Sequence, residues 1–445
     1  MRSLFLFALV LIVGVPAWSQ VEPDATGAPD QTLDGTKMML PPPVSSSRYP
    51  NVVGEETRTN FISGALTFQA AYNDNVYAGI FTSPLTDTIL TVLPTVTYDR
   101  TTPQQKQSFS YSPGFTFYQP TSELNSINQE ASAEYDYRFS PYTGISVQDS
   151  FLQTTNTYGS PAALLGGGVS GSAGGSIATI LIPYAELVTN TLSGSFDKQF
   201  ERNQMFGVSG NFSLVNYPNP SQSPDVFDSK TAGGSGFFSL RLNRSSYVGA
   251  TYEYSRIFAH PANADSVVQV HGALPFVTVY FNRTMSMSVV AGPQYYKVAQ
   301  TGLSDQSAWT PSIAASLGLQ ASRSNVAVSY VRSVTAGDGL LGAFIGNSAD
   351  LSMRRQLNRS WIVGVIGEYG NIQVVTSSTS ASQPAGHRIW GDAFVQRAFG
   401  DHFRAEARYH RLHQSYNNIP VLSNNPNSNA YSVTLTYQFL KPIGR

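Results

Sequence analysis

Tyr431-Ser432-Val433-Thr434-Leu435-Thr436-Tyr437-Gln438-Phe439 alternates bulky apolar residues with hydroxyls and one amide, without a break. Drawn as a β-strand, in which successive side chains point to opposite faces, it has an apolar row on one side and a polar row on the other. The same period of two recurs upstream. Phe109, Tyr111, Pro113, Phe115 and Phe117 are interleaved with Ser108, Ser110, Ser112, Gly114 and Thr116. Ala131, Ala133, Tyr135, Tyr137 and Phe139 are interleaved with Ser132, Glu134, Asp136 and Arg138. Ile313 to Ala321 and Phe403 to His410 repeat the pattern. These segments run to about 10 to 14 residues, longer than the five or six of an ordinary soluble strand and close to what a tilted strand needs to cross a bilayer.

The connections between segments are a second, independent test. Membrane-spanning barrels pair short turns at one end with longer loops at the other. Tight turns are expected near Arg100–Pro103, Ser140–Pro141, Glu201–Gln204, Asn243–Ser245, Asn282–Thr284, Ser322–Asn325, Asn358–Ser360 and Gly400–His402. Between them lie polar loops near 74–86, 118–127, 155–183, 217–229, 259–266, 297–309, 336–344, 373–386 and 415–428. Eight turns and nine loops imply eighteen strands, with both chain ends on the short-turn side. The expected fold is all-β: a closed, antiparallel, up-and-down transmembrane barrel over residues 61–439, followed by a short extension at 440–445. Closure has a physical cause. An unpaired N–H or C=O is costly in hydrocarbon, so strands cross only where each has two neighbours. Tyr142, Trp361, Tyr409 and Tyr431 suit the interfacial girdles, where an apolar body and a polar tip are both accommodated.

Composition agrees. Charged residues are 12% of the chain, against roughly 25% in an average globular protein, which is too few to coat several water-facing domains. Lys plus Arg at 27 nearly cancels Asp plus Glu at 28 with no basic run, so nucleic acid is not an expected partner. With no cysteine there is no disulfide framework, no thiolate zinc site, no thiol nucleophile and no lipidated anchor. At the N-terminus, Met1 and Arg2 precede an apolar run from Leu4 to Val15, and Ala17-Trp18-Ser19 offers the small residues that a signal peptidase reads. Cleavage is expected after Ser19, with export to the bacterial outer membrane. Residues 20–60, with the triplet Pro41-Pro42-Pro43, read as a periplasmic tail or linker outside the fold.

Two segments resist the scheme. Val267–Phe281 is apolar on both faces and contains Pro275, which points to a bulge or bend. Arg355 falls on the lipid face between Met353 and Leu357, so it belongs near an interface or the register slips there.

Function would then be set by the inward faces. The alternation puts Glu134, Asp136 and Arg138 inside on the fourth strand, and Asp350, Arg354, Glu368, Asp392, Arg404, Glu406 and Arg408 inside on strands fourteen to seventeen. These ten are the pore-lining candidates, either as a charged wall that selects solutes or as a cross-strand ladder of mutually neutralising pairs. Loop 155–183 carries Gly166, Gly167, Gly168, Gly171, Gly174 and Gly175, whose freedom suits either a constriction folded inward or a mobile external loop. No Lys-Ser/Thr follows these glycines at phosphate-loop spacing. The six histidines, His260, His271, His387, His402, His410 and His413, show no carboxylate or hydroxyl partner at a diagnostic spacing. No catalytic residue, metal site or cofactor is therefore expected, and the chain is not read as an enzyme.

At this point the chain resembles bacterial outer-membrane β-barrels of the porin-like type. Tyr437-Gln438-Phe439 is similar to the aromatic-ended last strand by which such proteins are recognised for insertion. Tyr72-Asn73-Asp74-Asn75 is similar to the Tyr-x-Asp-Asn element early in a loosely defined family of outer-membrane barrel porins, some associated with exopolysaccharide export. The resemblance implies a conduit for small hydrophilic solutes or a glycan. Implied partners are outer-membrane lipids and lipopolysaccharide, the barrel-assembly machinery, the solute or polysaccharide itself, and further copies of the chain. The main expectation is passive diffusion of small hydrophilic solutes. The alternatives are a conduit or partner in exopolysaccharide export, or a closed barrel with a structural or enzymatic role.

Overall fold

A computed structural model describes Met38 and residues 60–76, 84–155, 186–219, 227–260, 265–302, 304–337, 341–375, 385–417 and 427–442. The expected leader with its expected cleavage site, the expected tail apart from Met38 and Asn60, and residues 156–185 lie outside the described residues. The described chain forms eighteen strands. The first nine are β1 (Phe61–Asn73), β2 (Asp87–Thr101), β3 (Gln105–Gln119), β4 (Ser126–Ser140), β5 (Thr143–Thr154), β6 (Leu187–Glu201), β7 (Gln204–Asn216), β8 (Ser229–Asn243) and β9 (Ser246–Ala259). Then come β10 (Ser266–Tyr280), β11 (Met285–Gln300), β12 (Gln306–Ala321), β13 (Ser324–Gly337), β14 (Leu341–Gln356), β15 (Trp361–Val374), β16 (Ala385–Phe399), β17 (Phe403–Asn417) and β18 (Asn427–Pro442). Every strand pairs antiparallel with its neighbours in sequence, and β1 pairs with both β2 and β18, so the sheet closes on itself.

All eight expected turns fall where the sequence put them. Three share an Asn-Arg-Ser/Thr sequence and one device, an asparagine side chain that closes the turn by accepting backbone N–H groups. Asn243 Oδ1 accepts from Ser245 N at 2.8 Å, Asn282 Oδ1 from Thr284 N and Met285 N at 2.8 Å, and Asn358 Oδ1 from Ser360 N at 2.9 Å and Trp361 N at 3.0 Å. Gly400, at φ +68°, makes the turn between β16 and β17 in a conformation that L side chains rarely adopt. The loops near 297–309 and 336–344 are shorter than expected: β11 extends to Gln300, β12 starts at Gln306, β13 extends to Gly337 and β14 starts at Leu341.

The two faces of the ring separate by chemistry. On β18, Tyr431, Val433, Leu435, Tyr437 and Phe439 face outward and are exposed, whereas Ser432 and Thr434 are buried inside. The exposed large apolar residues of the other strands keep the same phase, for example Phe68 and Tyr72 on β1 or Phe115 and Phe117 on β3. Exposed apolar rows on every side have no place against water, whereas hydrocarbon accepts each such side chain, gaining about 1.5–3 kcal/mol when fully covered. Outward aromatics join from strand to strand. Tyr254 and His271 lie 4.9 Å apart and Tyr295 and Trp309 5.2 Å apart nearer the long loops. Nearer the short turns Phe200 meets Phe206 and Phe238, each at 6.1 Å. Of the four expected girdle residues, Tyr142, Tyr409 and Tyr431 are exposed on the outer surface, and the guanidinium of Arg397 lies 5.1 Å over the ring of Trp361.

Both resistant segments resolve. β10 is a regular strand rather than a bulged one, since its register to β9 runs unbroken from Ser266 opposite Ala259 to Val279 opposite Ser246. Its register to β11 is the same on either side of a gap at Ala273–Pro275. Pro275 lacks an N–H, so the ladder opens there without a shift. Its two apolar faces have separate partners: the outward one meets lipid, while Val268, Val270, Leu274 and Phe276 point inward and are buried. Arg355 is outward, one residue from the end of β14 and next to the 357–360 turn, so it reaches the interface and no register slip is needed.

Two features occupy the interior. The β12–β13 ladder runs only from Ala321 opposite Ser324 to Ile313 opposite Arg332. Beyond it β13 stays paired with β14, and this hairpin end bends inward. Val334 and Ala343 then pack with Ile257, Val268, Val270 and Val298 of the β9–β11 inner wall. At the opposite end Met38, expected outside the fold, is instead 2% exposed within a cluster of Met205, Tyr247 and Tyr280. Its N–H donates to Gln199 Oε1 at 2.6 Å. The Gln199 amide is itself fixed by bonds to Glu201 O at 3.0 Å and Arg202 O at 3.3 Å, so the socket is built by the β6–β7 turn.

Candidate functional site

Seven of the ten candidate lining residues lie on the inward phase of β14 to β17, where neighbouring rungs bring them together. Asp392 of β16 stands opposite His410 of β17, with Asp392 Oδ1 3.0 Å from His410 Nδ1. Arg408 donates to Glu406 Oε1 at 2.7 Å through Nη2 and at 2.9 Å through Nε, and its Nη1 lies 3.8 Å from Asp392 Oδ2. The ring of Phe394 lies under the same guanidinium at 4.9 Å. The Asp392 side chain is 0% and that of Arg408 3% exposed, so these charges face each other rather than solvent. Arg388 of β16 donates to Glu368 of β15. Asp350 accepts from Ser329 Oγ at 3.0 Å and Ser348 Oγ at 3.4 Å, and Arg354 Nη2 donates to Gln396 Oε1 at 3.4 Å. Arg404 shares this face nearer the short turns, opposite Thr436.

Desolvated charges in such contacts are a structural device, because each needs the other to offset its loss of hydration. Glu406–Arg408–Asp392 and Glu368–Arg388 are such contacts, whereas Asp350 meets two hydroxyls and Arg354 an amide. Sequence reasoning passed over Arg388, and it passed over the carboxylate partner of His410. On β4, Glu134, Asp136 and Arg138 also face inward, and Glu134 Oε2 lies 3.0 Å from Lys106 Nζ of β3. This second group is more open than the first.

The other histidines have separate partners. His260 Nδ1 lies 2.9 Å from Asp265 Oδ1, a carboxylate pairing that the sequence did not reveal. His271 Nδ1 meets the Tyr252 hydroxyl at 2.8 Å, and His402 Nδ1 donates to Gln438 O at 2.8 Å. The His387 and His413 rings are 5.6 Å apart on the outer face. Among the described residues no three His, Asp or Glu side chains converge as metal ligands.

The six glycines proposed as a constriction loop, Gly166, Gly167, Gly168, Gly171, Gly174 and Gly175, lie outside the described residues. Among the described residues the segment that enters the barrel from the long-loop end is the β13–β14 hairpin. Its position is fixed by the apolar contacts above and by Val334 N–H donating to Gln294 Oε1 of β11 at 2.9 Å.

Tyr72-Asn73-Asp74-Asn75 lies at the seam rather than in the lumen wall. Asp74 accepts from Asn429 N at 2.7 Å and Asn429 Nδ2 at 2.5 Å, while Asp74 N returns a bond to Asn429 O at 3.0 Å. Ser428 Oγ donates to Asn73 Oδ1 at 2.8 Å, and Asn75 Nδ2 to Asn427 O at 3.1 Å. The element is a clasp that ties the end of the first strand to the start of the last.

The chain matches no protein-family model and no curated protein. Among solved structures it is similar to OpdQ of Pseudomonas aeruginosa, at 10% identity and TM-score 0.40 over 85% of this chain and 98% of that one. It is similar also to OccAB3 of Acinetobacter baumannii, at 10% identity and TM-score 0.39 over 85% and 99%. A third is the ferric-catecholate import receptor Fiu of E. coli K12, at 10% identity and TM-score 0.42 over 86% and 82%.

Proposed function

We propose that the chain is a bacterial outer-membrane channel of the porin type, through which small hydrophilic solutes diffuse passively. One observation carries this reading. The outer surface of a closed eighteen-strand ring is apolar, while inward positions such as Thr67, Gln69, Thr91, Thr116, Thr191 and Ser329 are hydroxyls and amides. A ring of that strand number is wide enough to hold water. Hydroxyl and amide walls can exchange hydrogen bonds with a hydrated solute without committing to its charge. Most ions of the β14–β17 wall are already paired, so they hold the cylinder in shape and contribute little net field. Arg404, Asp136, Arg138 and the open Lys106–Glu134 group are among the charged positions left to act on permeating ions. The inward β13–β14 hairpin narrows the passage from the long-loop end, and Met38 marks where the N-terminal segment meets the short-turn mouth. Outer-membrane lipids and lipopolysaccharide would cover the aromatic rows, and assembly machinery would take up β18.

The test is electrical. Purified protein added to a planar bilayer is expected to give discrete ohmic conductance steps. Complete absence of steps, with the barrel shown to be folded and inserted, overturns the reading.

A further inference from the structure

We infer that the β13–β14 hairpin is a gate with two seats, the inward one seen here and an upright one in the barrel wall. The upright seat is already built. On its other side β12 is paired with β11 up to Gln306 opposite Val298, but the ladder between β12 and β13 stops at Ile313, so Ala308–Ser312 lies beyond it. Continuing the existing register would place Ser333 opposite Ser312, Val334 opposite Pro311 and Thr335 opposite Thr310. The vacant edge of β12 thus matches the stretch of β13 that has left it.

Each seat has its own reason to be occupied. Upright, the hairpin would restore ladder bonds to a strand edge that is costly to leave bare at membrane depth. Pro311 weakens that ladder at the rung opposite Val334, because it has no N–H to offer. Inward, Val334 N–H finds Gln294 Oε1 instead, and Val334 and Ala343 find the buried wall residues Ile257, Val268, Val270 and Val298. That wall is apolar where the hairpin rests on it, and its apolar character is accounted for by what docks there. The bend is placed as a hinge needs it. Arg332 Nη1 and the Tyr330 hydroxyl are both held by Asn347 Oδ1, at 2.8 and 3.2 Å, just below the point of departure. The next rung pairs Ser333 with Gly346, and the one register shift of this hairpin falls between Ala336 and Gly337. Two packings of the same hairpin, each with its own bonds, make a bistable element able to widen or narrow the lumen.

The inference rests on the channel reading, and the test separates the two. The chain has no cysteine, so Thr310→Cys with Thr335→Cys introduces a single possible disulfide that closes only when the hairpin is upright. Under oxidising conditions in bilayers the disulfide is expected to form and to raise unit conductance, with reductant restoring the lower level. Val268→Asp, which places a carboxylate in the apolar wall under the hairpin, is expected to raise conductance without any cross-link, because that inward position meets water once the hairpin stands upright. Normal channel steps with no disulfide formed, and no change in Val268→Asp, would overturn the gate and leave the channel standing. A disulfide that forms readily while no variant conducts would overturn the channel reading and the gating role with it.

Discussion

Asp392 shows what a single residue does in this wall. Its carboxylate faces both Arg408 and His410, and its side chain is wholly buried. Asp392→Ala would leave the buried His410 ring without its carboxylate while Glu406 still holds Arg408, a loss of about 1–3 kcal/mol. The expected outcome is a lower urea midpoint for unfolding in detergent micelles, with little change in ion selectivity. Arg404 is the contrasting case, because it shares the inward face but is only half-buried. Arg404→Ala is expected to shift the reversal potential toward cation preference, whereas Arg408→Ala acts on stability. Most of the ionic face was legible because the period of two fixes which side each residue takes. The pairings were less so, though they follow from the turn: with Phe399 opposite Phe403, counting seven rungs along both strands brings Asp392 and His410 together. Arg388 sits on the same phase as Asp392 and could have been found by the same count.

A strand in this molecule succeeds when both of its faces and both of its edges have partners. Leu435 lies in the middle of β18 on the lipid side, and Leu435→Arg is expected to cost about 2 to 4 kcal/mol, measured as loss of folded barrel in micelle titration. The clasp at the seam makes a separate prediction. Asp74→Ala removes two charge-assisted bonds to Asn429, worth about 1.5–3 kcal/mol each, and should speed unfolding of the barrel in heated detergent gels. Strand number and all eight turns were readable in sequence because alternation and Asn-, Gly- or Pro-marked reversals are local signals. β10 was misjudged because an apolar inner face looks like a defect until its partner is known, and that partner is a hairpin of distant sequence. Nothing local in residues 333–345 announces the inward bend, since the alternative partner for Val334 is Gln294, forty residues away.

At the scale of the whole barrel the interior is closed upon from two ends, by the hairpin above and by Met38 below. Met38→Ala is expected to weaken docking of the N-terminal segment by about 2–5 kcal/mol, read as faster cleavage of that segment by added protease while the barrel stays folded. An unchanged cleavage rate would show that Gln199 and its neighbours hold nothing essential. The location of Met38 was out of reach of the sequence, where Met38-Met39-Leu40, closed off by Pro41-Pro42-Pro43, is too short an apolar run to carry a period. The pairing of β1 with β18 has a consequence for biogenesis. The earliest strand to be made has to wait, with one border exposed, until the latest has been delivered, so a ribosomal product that stops short of β18 would not circularise. Completeness of translation is thereby checked by geometry alone, and an unfinished copy would betray itself to proteases through two ragged borders.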